Sequence, residues 1–267
     1  MDTTLGLPAI RTIRLSTPFG WLAEGWRDLM KAPAPLLLYG LAVAAASFAL
    51  CYGVYATNGA FWVLALTAGF VIIAPILAMG PYEAGRRLDL GERPRLGQIL
   101  FVRSAFRQDV AYLSLLLVLI YFLWGRIAQI VYGLSTFHVH RDVESLVAFA
   151  VGSSEGHSML MIGALTGGAL AFVTYALVVV SAPMLLNPNA NVFAAVATSV
   201  RAVNANFFPL LLWAVIIIAL LLASAATGFL ALVVVFPWLG LASWRAYRAL
   251  ADDIDPQPDQ TAGGVIA

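Results

Sequence analysis

The sequence predicts an all-α, polytopic membrane protein: six transmembrane helices in three parallel helical-hairpin repeats, each led by an amphipathic interfacial helix. Three observations predict it. The 267 residues are 61% hydrophobic and 11% charged, with a mean hydropathy of +0.89, against about 25% charged residues in an ordinary soluble domain. Apolar runs of spanning length recur along the chain. Lysine and arginine are confined almost entirely to alternate connections between those runs. The net charge of +1 predicts neither nucleic-acid binding nor an acidic substrate. A lone cysteine, Cys51, sits in an apolar run and excludes an intrachain disulfide or a cysteine metal cluster in one chain.

Residues 1–35 read as a cytoplasmic amphipathic lead. Trp21, Trp26, Leu29 and Met30 fall on one helical face, with Glu24, Arg27, Asp28 and Lys31 largely elsewhere. Such a helix lies in the interface, where tryptophan suits headgroup depth and the cations meet anionic lipid. Simple anchoring accounts for it; specific lipid or partner contact through Trp21, Trp26 and Arg27 is the sharper expectation. The first apolar run starts only at Leu36, so no signal peptide is expected.

The membrane domain, residues 36–250, opens with spans Leu36–Ala56 and about Phe61–Gly80, followed by Val110–Tyr132 and Met159–Leu185. The stretch Phe207–Trp244 is too long for one span of about 20 residues and enough for two short ones. Its turn is expected at Ser224-Ala225-Ala226-Thr227-Gly228. Residues 251–267 form a tail, acidic from Asp252 to Asp259, that reads as disordered and cytoplasmic.

Charge tests this count independently. Thirteen of the fifteen cations lie before span one, between spans two and three, between spans four and five, or after span six. Only Arg126 and Arg141 fall to the other side, which places both termini in the cytoplasm. A five-span arrangement would carry Arg245, Arg248 and the acidic tail across the membrane.

The repeat shows in two matching stretches, Arg27 to Leu38 and Arg201 to Leu212, which align Pro35 with Pro209. A weaker third copy starts at Arg103 and Arg107, with Leu96, Ile99, Leu100 and Phe106 as the apolar face of its lead. Pro75, Pro183 and Pro237 each follow a β-branched run near the cytoplasmic end of an even-numbered span. Every copy begins on the same side, so the repeat is parallel.

Chemistry-bearing residues are few. Only Arg126 lies inside a predicted span, and its long stem reaches the outer interface by snorkelling. A proton relay needs several mid-depth Asp, Glu or His groups, and the spans hold none. His138, His140 and His157, with Asp142, Glu144 and Glu155, form a weak candidate metal site in the outer loop. Against it, Val143, Leu146, Val147 and Phe149 suit a short amphipathic helix better than a strand that would align two histidines. With every histidine in this loop, none is left to hold a haem in a span, and no cofactor is expected. Glu83, Arg86 and Arg87 end span two; aromatic-belt and positive-inside placement explains them, and gripping a lipid headgroup or partner loop is the functional alternative. Asn187, Asn189, Asn191, Asn204 and Asn206 read as turn and cap residues. No phosphate loop, nucleophile elbow or His-Glu-x-x-His motif is present, so no enzyme activity is expected.

Four segments, Trp21 to Asp28, Pro35 to Gly40, Ala74 to Leu88 and Phe236 to Leu250, resemble the bacterial predicted integral membrane proteins grouped as domain of unknown function 2189. The resemblance spans about residues 15 to 250 and implies a six-span protein of the bacterial inner membrane, without an established reaction. The label of cytochrome oxidase core subunit that some members carry needs histidines on the spans, and here there are none.

These readings lead to an accessory or scaffold component of a membrane complex, a respiratory one included, with the lipid bilayer as its first partner. Gly163, Gly167 and Gly168 on span four and Ala42, Ala45, Ala46 and Ala49 on span one are its expected helix-packing faces. The rival expectation is a small transporter or channel for a neutral or amphiphilic solute or a lipid, around a pseudo-threefold axis.

Overall fold

Prolines mark several of the helix boundaries. The computed structural model describes residues 8–56, 77–102, 105, 107–136 and 143–251, and among these the regular structure is eleven helices and one isolated bridge, Ile10 to Ala251. Helix α1 (Thr17–Lys31) carries Pro18 in its first turn, where no amide donor is needed. Pro33 then opens α2 (Pro33–Ala56). Next come α3 (Met79–Asp89), a single turn α4 (Leu96–Leu100), α5 (Gln108–Ser135), α6 (Val143–Gly152) and α7 (Ser154–Val178). Pro183 cannot donate to the carbonyl four residues back, and the chain breaks after α7 before the short α8 (Ser181–Met184). Helix α9 (Val192–Ala205) starts on Asn191, whose side chain accepts from the Phe193 amide at 2.7 Å. Helices α10 (Phe207–Ala226) and α11 (Leu232–Leu250) complete the chain.

Four stretches are long and apolar enough to cross a membrane: Pro33–Gly53, Gln108–Ser135, Ser154–Met184 and Phe207–Ala226. They coincide with the first, third, fourth and fifth expected spans. The second expected span lies mostly outside the described residues, as do Pro75, Arg103, Phe106, His138, His140, Arg141, Asp142 and the acidic tail. The sixth expected span is α11, which is helical but not among the long apolar helices, because Arg245 and Arg248 occupy its last turns. Its turn from α10 falls slightly later than the expected one: the helix runs on to Ala226, and Gly228 and Phe229 reverse the chain at φ 64 and φ 68.

Helix α11 is the central helix. Helices α1, α2, α3 and α10 all pack on it, and Phe236, Leu239, Leu241, Ala242, Trp244 and Leu250 are buried. Three of those neighbours approach through glycine. A Cβ on Gly25 of α1 would stand 2.7 Å from the Ala242 amide nitrogen, one on Gly40 of α2 would stand 2.1 Å from the Val233 carbonyl oxygen, and one on Gly240 would meet Pro81 of α3 at 2.4 Å. Outside this group α5 pairs with α7, and α6 and α9 pack on α7. The outward faces carry exposed Leu41, Phe48, Leu119, Phe122, Leu165 and Leu222, which suits lipid rather than water.

Where the second lead was expected, the described residues include the helical turn α4; Ile99 is buried and Leu100 exposed. Helix α1 packs on α11, α4 on α3, and α9 on α7.

Candidate functional site

Helix α1 does not present the two faces expected of it. Trp21 and Leu29 are buried, but Trp26 and Met30 are exposed, and Asp28 is only 2% exposed. The reason is α11, which crosses the edge of α1 that carries Asp28 and supplies Arg245. Arg245 donates to Asp28 at 2.6 Å and to Asp89 at 2.7 Å; Lys31 donates to Asp28 at 2.7 Å, and the Trp244 indole to Asp89 at 2.8 Å. Burial works against the Arg245 cation, and Asp28 and Asp89 more than offset it, leaving its pKa above the ordinary guanidinium value. The cluster ties α1, α3 and α11 together. Trp26 stays at its rim, its ring edge-on to Trp238 at 5.5 Å, and Arg27 is exposed and donates to the Ala23 carbonyl.

The second cluster is local to α3. Glu83, 3% exposed, accepts two bonds from Arg86 at 2.7 and 2.8 Å and one from Arg87 at 2.8 Å; Arg87 also reaches Glu92 at 2.8 Å. Its hydrogen bonds to Glu83 raise the Arg86 pKa above its usual value. These four groups neutralise one another, so the acid is fully engaged before any headgroup arrives.

The asparagines extend the same end of the molecule. Buried Asn206 accepts from the Ile13 amide at 2.8 Å and donates to the Arg11 carbonyl at 3.0 Å, strapping the N-terminal segment over the α9–α10 junction. Arg107 donates to the Asn187 and Ala190 carbonyls at 2.8 and 3.2 Å, and Asp109 accepts from the Val192 amide at 3.0 Å, holding the start of α5 to the connection before α9.

Away from that end, Arg126 is exposed on α5 and donates to Gln129 at 3.2 Å. His157 is exposed in the first turn of α7, and no group of three His, Cys, Asp or Glu side chains converges among the described residues. Of the three glycines singled out on span four, Gly167 lies against the Trp124 ring of the same chain, whereas Gly163 and Gly168 have open space where a side chain would stand.

Gly168 opens on a feature with the geometry of a binding site. A cavity of about 190 Å³ lies between α7, α10 and α11, with Ala78 and Tyr82 at the α3 side. Its walls are apolar, built from Phe172, Val178, Ile218, Leu221 and Phe236 among others. No acidic or basic side chain lines it among the described residues. Helices α7 and α10 share little direct packing, and the exposed residues Gly168 and Val215 mark the mouth between them. Among the described residues its polar lining is Tyr82, Thr174, Tyr175 and Ser243. Thr174 donates within its own helix to the Leu170 carbonyl at 2.8 Å, and Tyr82 bonds Ser243. The Tyr175 hydroxyl is buried, lies near enough to Tyr82 for electrostatic contact, and has no hydrogen-bond partner. Sequence reading passed over Tyr175 and Ser243 because one hydroxyl in an apolar helix is ordinary; the fold brings both to the lining of one cavity.

Residues 63–187 match the family model of predicted integral membrane proteins, domain of unknown function 2189. This is the family that the motifs resemble, and the match takes in the Ala74 to Leu88 segment while leaving the α1 and α11 motifs outside it. No curated protein and no solved structure matches the chain. The chain is therefore an integral, multi-pass helical membrane protein in contact with the lipid bilayer.

Proposed function

We propose that this protein binds a neutral amphiphile, lipid included, between its membrane helices and works as a small carrier rather than as an enzyme. The cavity between α7, α10 and α11 is the observation that supports this reading. At about 190 Å³ it exceeds the engineered cavities of about 150 Å³ that hold a benzene ring. That is room for the polar end and first carbons of a lipid, with the remaining chain left in the bilayer. The mouth at Gly168 and Val215 lies on an outward face, so such a molecule reaches it laterally without crossing water. A charged solute would leave its hydration for walls that offer no counter-charge, at a cost of several kcal/mol.

The accessory role expected from sequence drew on small-residue faces. One of these, Gly167, is occupied by Trp124 of the same chain, and another, Gly168, borders the cavity. The carrier reading keeps six spans in three parallel hairpin units, an inner-membrane location and cytoplasmic termini. The distribution of arginine supports that topology, and so does the recurrent docking of α1, α4 and α9 on the ends of α11, α3 and α7.

Reconstitution tests the function. Liposomes containing the purified protein should move a fluorescent neutral lipid, such as a labelled diacylglycerol, between leaflets faster than protein-free liposomes. Gly168→Leu, whose side chain enters open space at the mouth, should abolish the gain. Equal rates with and without protein would reject the carrier reading.

A further inference from the structure

Helix α1 carries a face that neither its packing nor the charge clusters use. At about 100° per residue, Phe19, Ala23, Trp26 and Met30 fall within an arc of about 60°. That arc is turned well away from Trp21, Gly25, Asp28 and Leu29, the residues that α1 buries. Phe19 is 57% exposed, Trp26 43% and Met30 49%, and Ala23 between them is exposed too. A continuous row of large apolar side chains is a contact surface, and on a helix beside membrane spans its natural cover is the acyl and headgroup boundary.

Position and charge both identify the cover. The membrane-crossing helix α2 opens at Pro33, directly after α1 ends at Lys31, and its Leu38 and Leu41 are exposed in turn. On the other flank the Trp26 ring stands edge-on to Trp238 of α11, a half-buried side chain whose indole donates to the Leu22 carbonyl at 2.8 Å. Tryptophan is enriched at headgroup depth. As for charge, Arg86, Arg87, Arg107 and Arg245 are each held by an acid. Arg14, just before α1, and Arg27, about 70° round from the centre of the stripe, are exposed and pair with no acid among the described residues. Arg27 donates to the Ala23 carbonyl, within the stripe itself. Exposed Glu24 lies further round the helix, on the side away from the stripe.

We infer that the stripe Phe19, Ala23, Trp26 and Met30 lies in the headgroup layer of the leaflet that α2 enters, and that Arg14 and Arg27 hold the phosphates of anionic phospholipids along its border. This surface is separate from the cavity and does not rest on the carrier reading. Trp21 takes no part, being 3% exposed and packed on Trp213. A zwitterionic headgroup already carries a cation beside its phosphate, so it gains less from the two arginines than phosphatidylglycerol does.

The full-length protein in nanodiscs provides the test. With Cys51 replaced by serine, single cysteines at Phe19, Met30 and Glu24 carry an environment-sensitive fluorophore. The labels at Phe19→Cys and Met30→Cys should emit blue-shifted light and be quenched by nitroxide-labelled phospholipid, whereas the label at Glu24→Cys should be quenched by aqueous iodide. Stripe labels as open to iodide as the Glu24 label, or shielded from both quenchers, would overturn the interfacial position; the second result would put protein on the stripe instead. In mixed nanodiscs, nitroxide-labelled phosphatidylglycerol should quench the Met30→Cys label more strongly than nitroxide-labelled phosphatidylcholine. Arg14→Gln with Arg27→Gln should reduce that preference, each arginine counting for about fivefold, and Arg14→Lys with Arg27→Lys should retain it. High salt should reduce it with both arginines in place. Equal quenching by the two lipids, or a preference that survives both the glutamine pair and salt, overturns the anionic assignment while keeping the stripe in the interface. Both arginines are exposed, so the glutamine pair should keep the wild-type monomer yield and melting temperature; should it misfold, the salt series, which needs no substitution of either arginine, decides.

Discussion

The Val233 carbonyl of α11 lies directly against Gly40 of α2, so close that a Cβ on Gly40 would stand 2.1 Å from its oxygen. That carbonyl is the one that Pro237, four residues on, cannot satisfy with an amide. The proline and the glycine therefore act together. One removes the helical donor, and the other brings the second helix near enough for its Cα to approach the carbonyl, a contact that recurs between closely packed helices. Gly40→Ala should force the backbones apart and cost about 1–3 kcal/mol. Thermal unfolding in detergent should show a clear loss for this variant and none for Gly163→Ala, which meets open space. Equal melting temperatures for the two would contradict the close crossing.

Arg245 neutralises Asp28 across 217 positions of sequence. Arg245→Ala removes the stronger of the two cations from a carboxylate that is 2% exposed, leaving Lys31 alone. The expected cost is about 3 kcal/mol, the lower end for breaking a buried pair. The double variant Asp28→Asn with Arg245→Ala should recover part of it, since no buried charge is left unpaired. A double variant as unstable as the sum of its parts would show that the two residues do not interact.

How much of this was legible in the sequence depends on the distance over which each residue acts. Spans one, three, four and five came directly from hydropathy, because lipid exposure imposes a local rule on every turn. The α10–α11 turn was nearly placed by Gly228. The role of Asp28 was not legible: on α1 alone it belongs to the polar face, and only Arg245, far along the chain, makes burial tolerable. Likewise the glycines with closest approach, Gly25 and Gly40, stand in helices whose crossing partner is not a sequence neighbour, while the Gly-rich run on span four drew attention by composition. The cavity lay beyond reach for the same reason, since it is a gap between helices and leaves no mark in any one of them.

Asn206 holds the N-terminal segment by two hydrogen bonds to Arg11 and Ile13. Asn206→Ala should release that strap, at about 1–3 kcal/mol for the buried polar groups left behind, and expose residues before α1 to protease. Limited proteolysis should then cut the variant near Arg11 and Arg14 well before the wild type. A variant and wild type cut at the same rate would show that Asn206 does not hold the segment.

The topology has its own check. Alkaline phosphatase fused after Gly228 should be active, being exported, and fused after Leu250 should be inactive, with green fluorescent protein giving the reverse pattern. An active phosphatase after Leu250 would put the C-terminal end on the far side and reduce the count of spans by one.

Native mass spectrometry of the purified protein tests the central claim most directly. The wild type, released gently from detergent, should carry one neutral lipid adduct per chain, and Gly168→Leu should fly without it while keeping any peripheral phospholipid. A wild type free of adducts, or a Gly168→Leu variant with the same neutral adduct, would contradict the claim that the cavity between α7, α10 and α11 is where this protein holds its ligand.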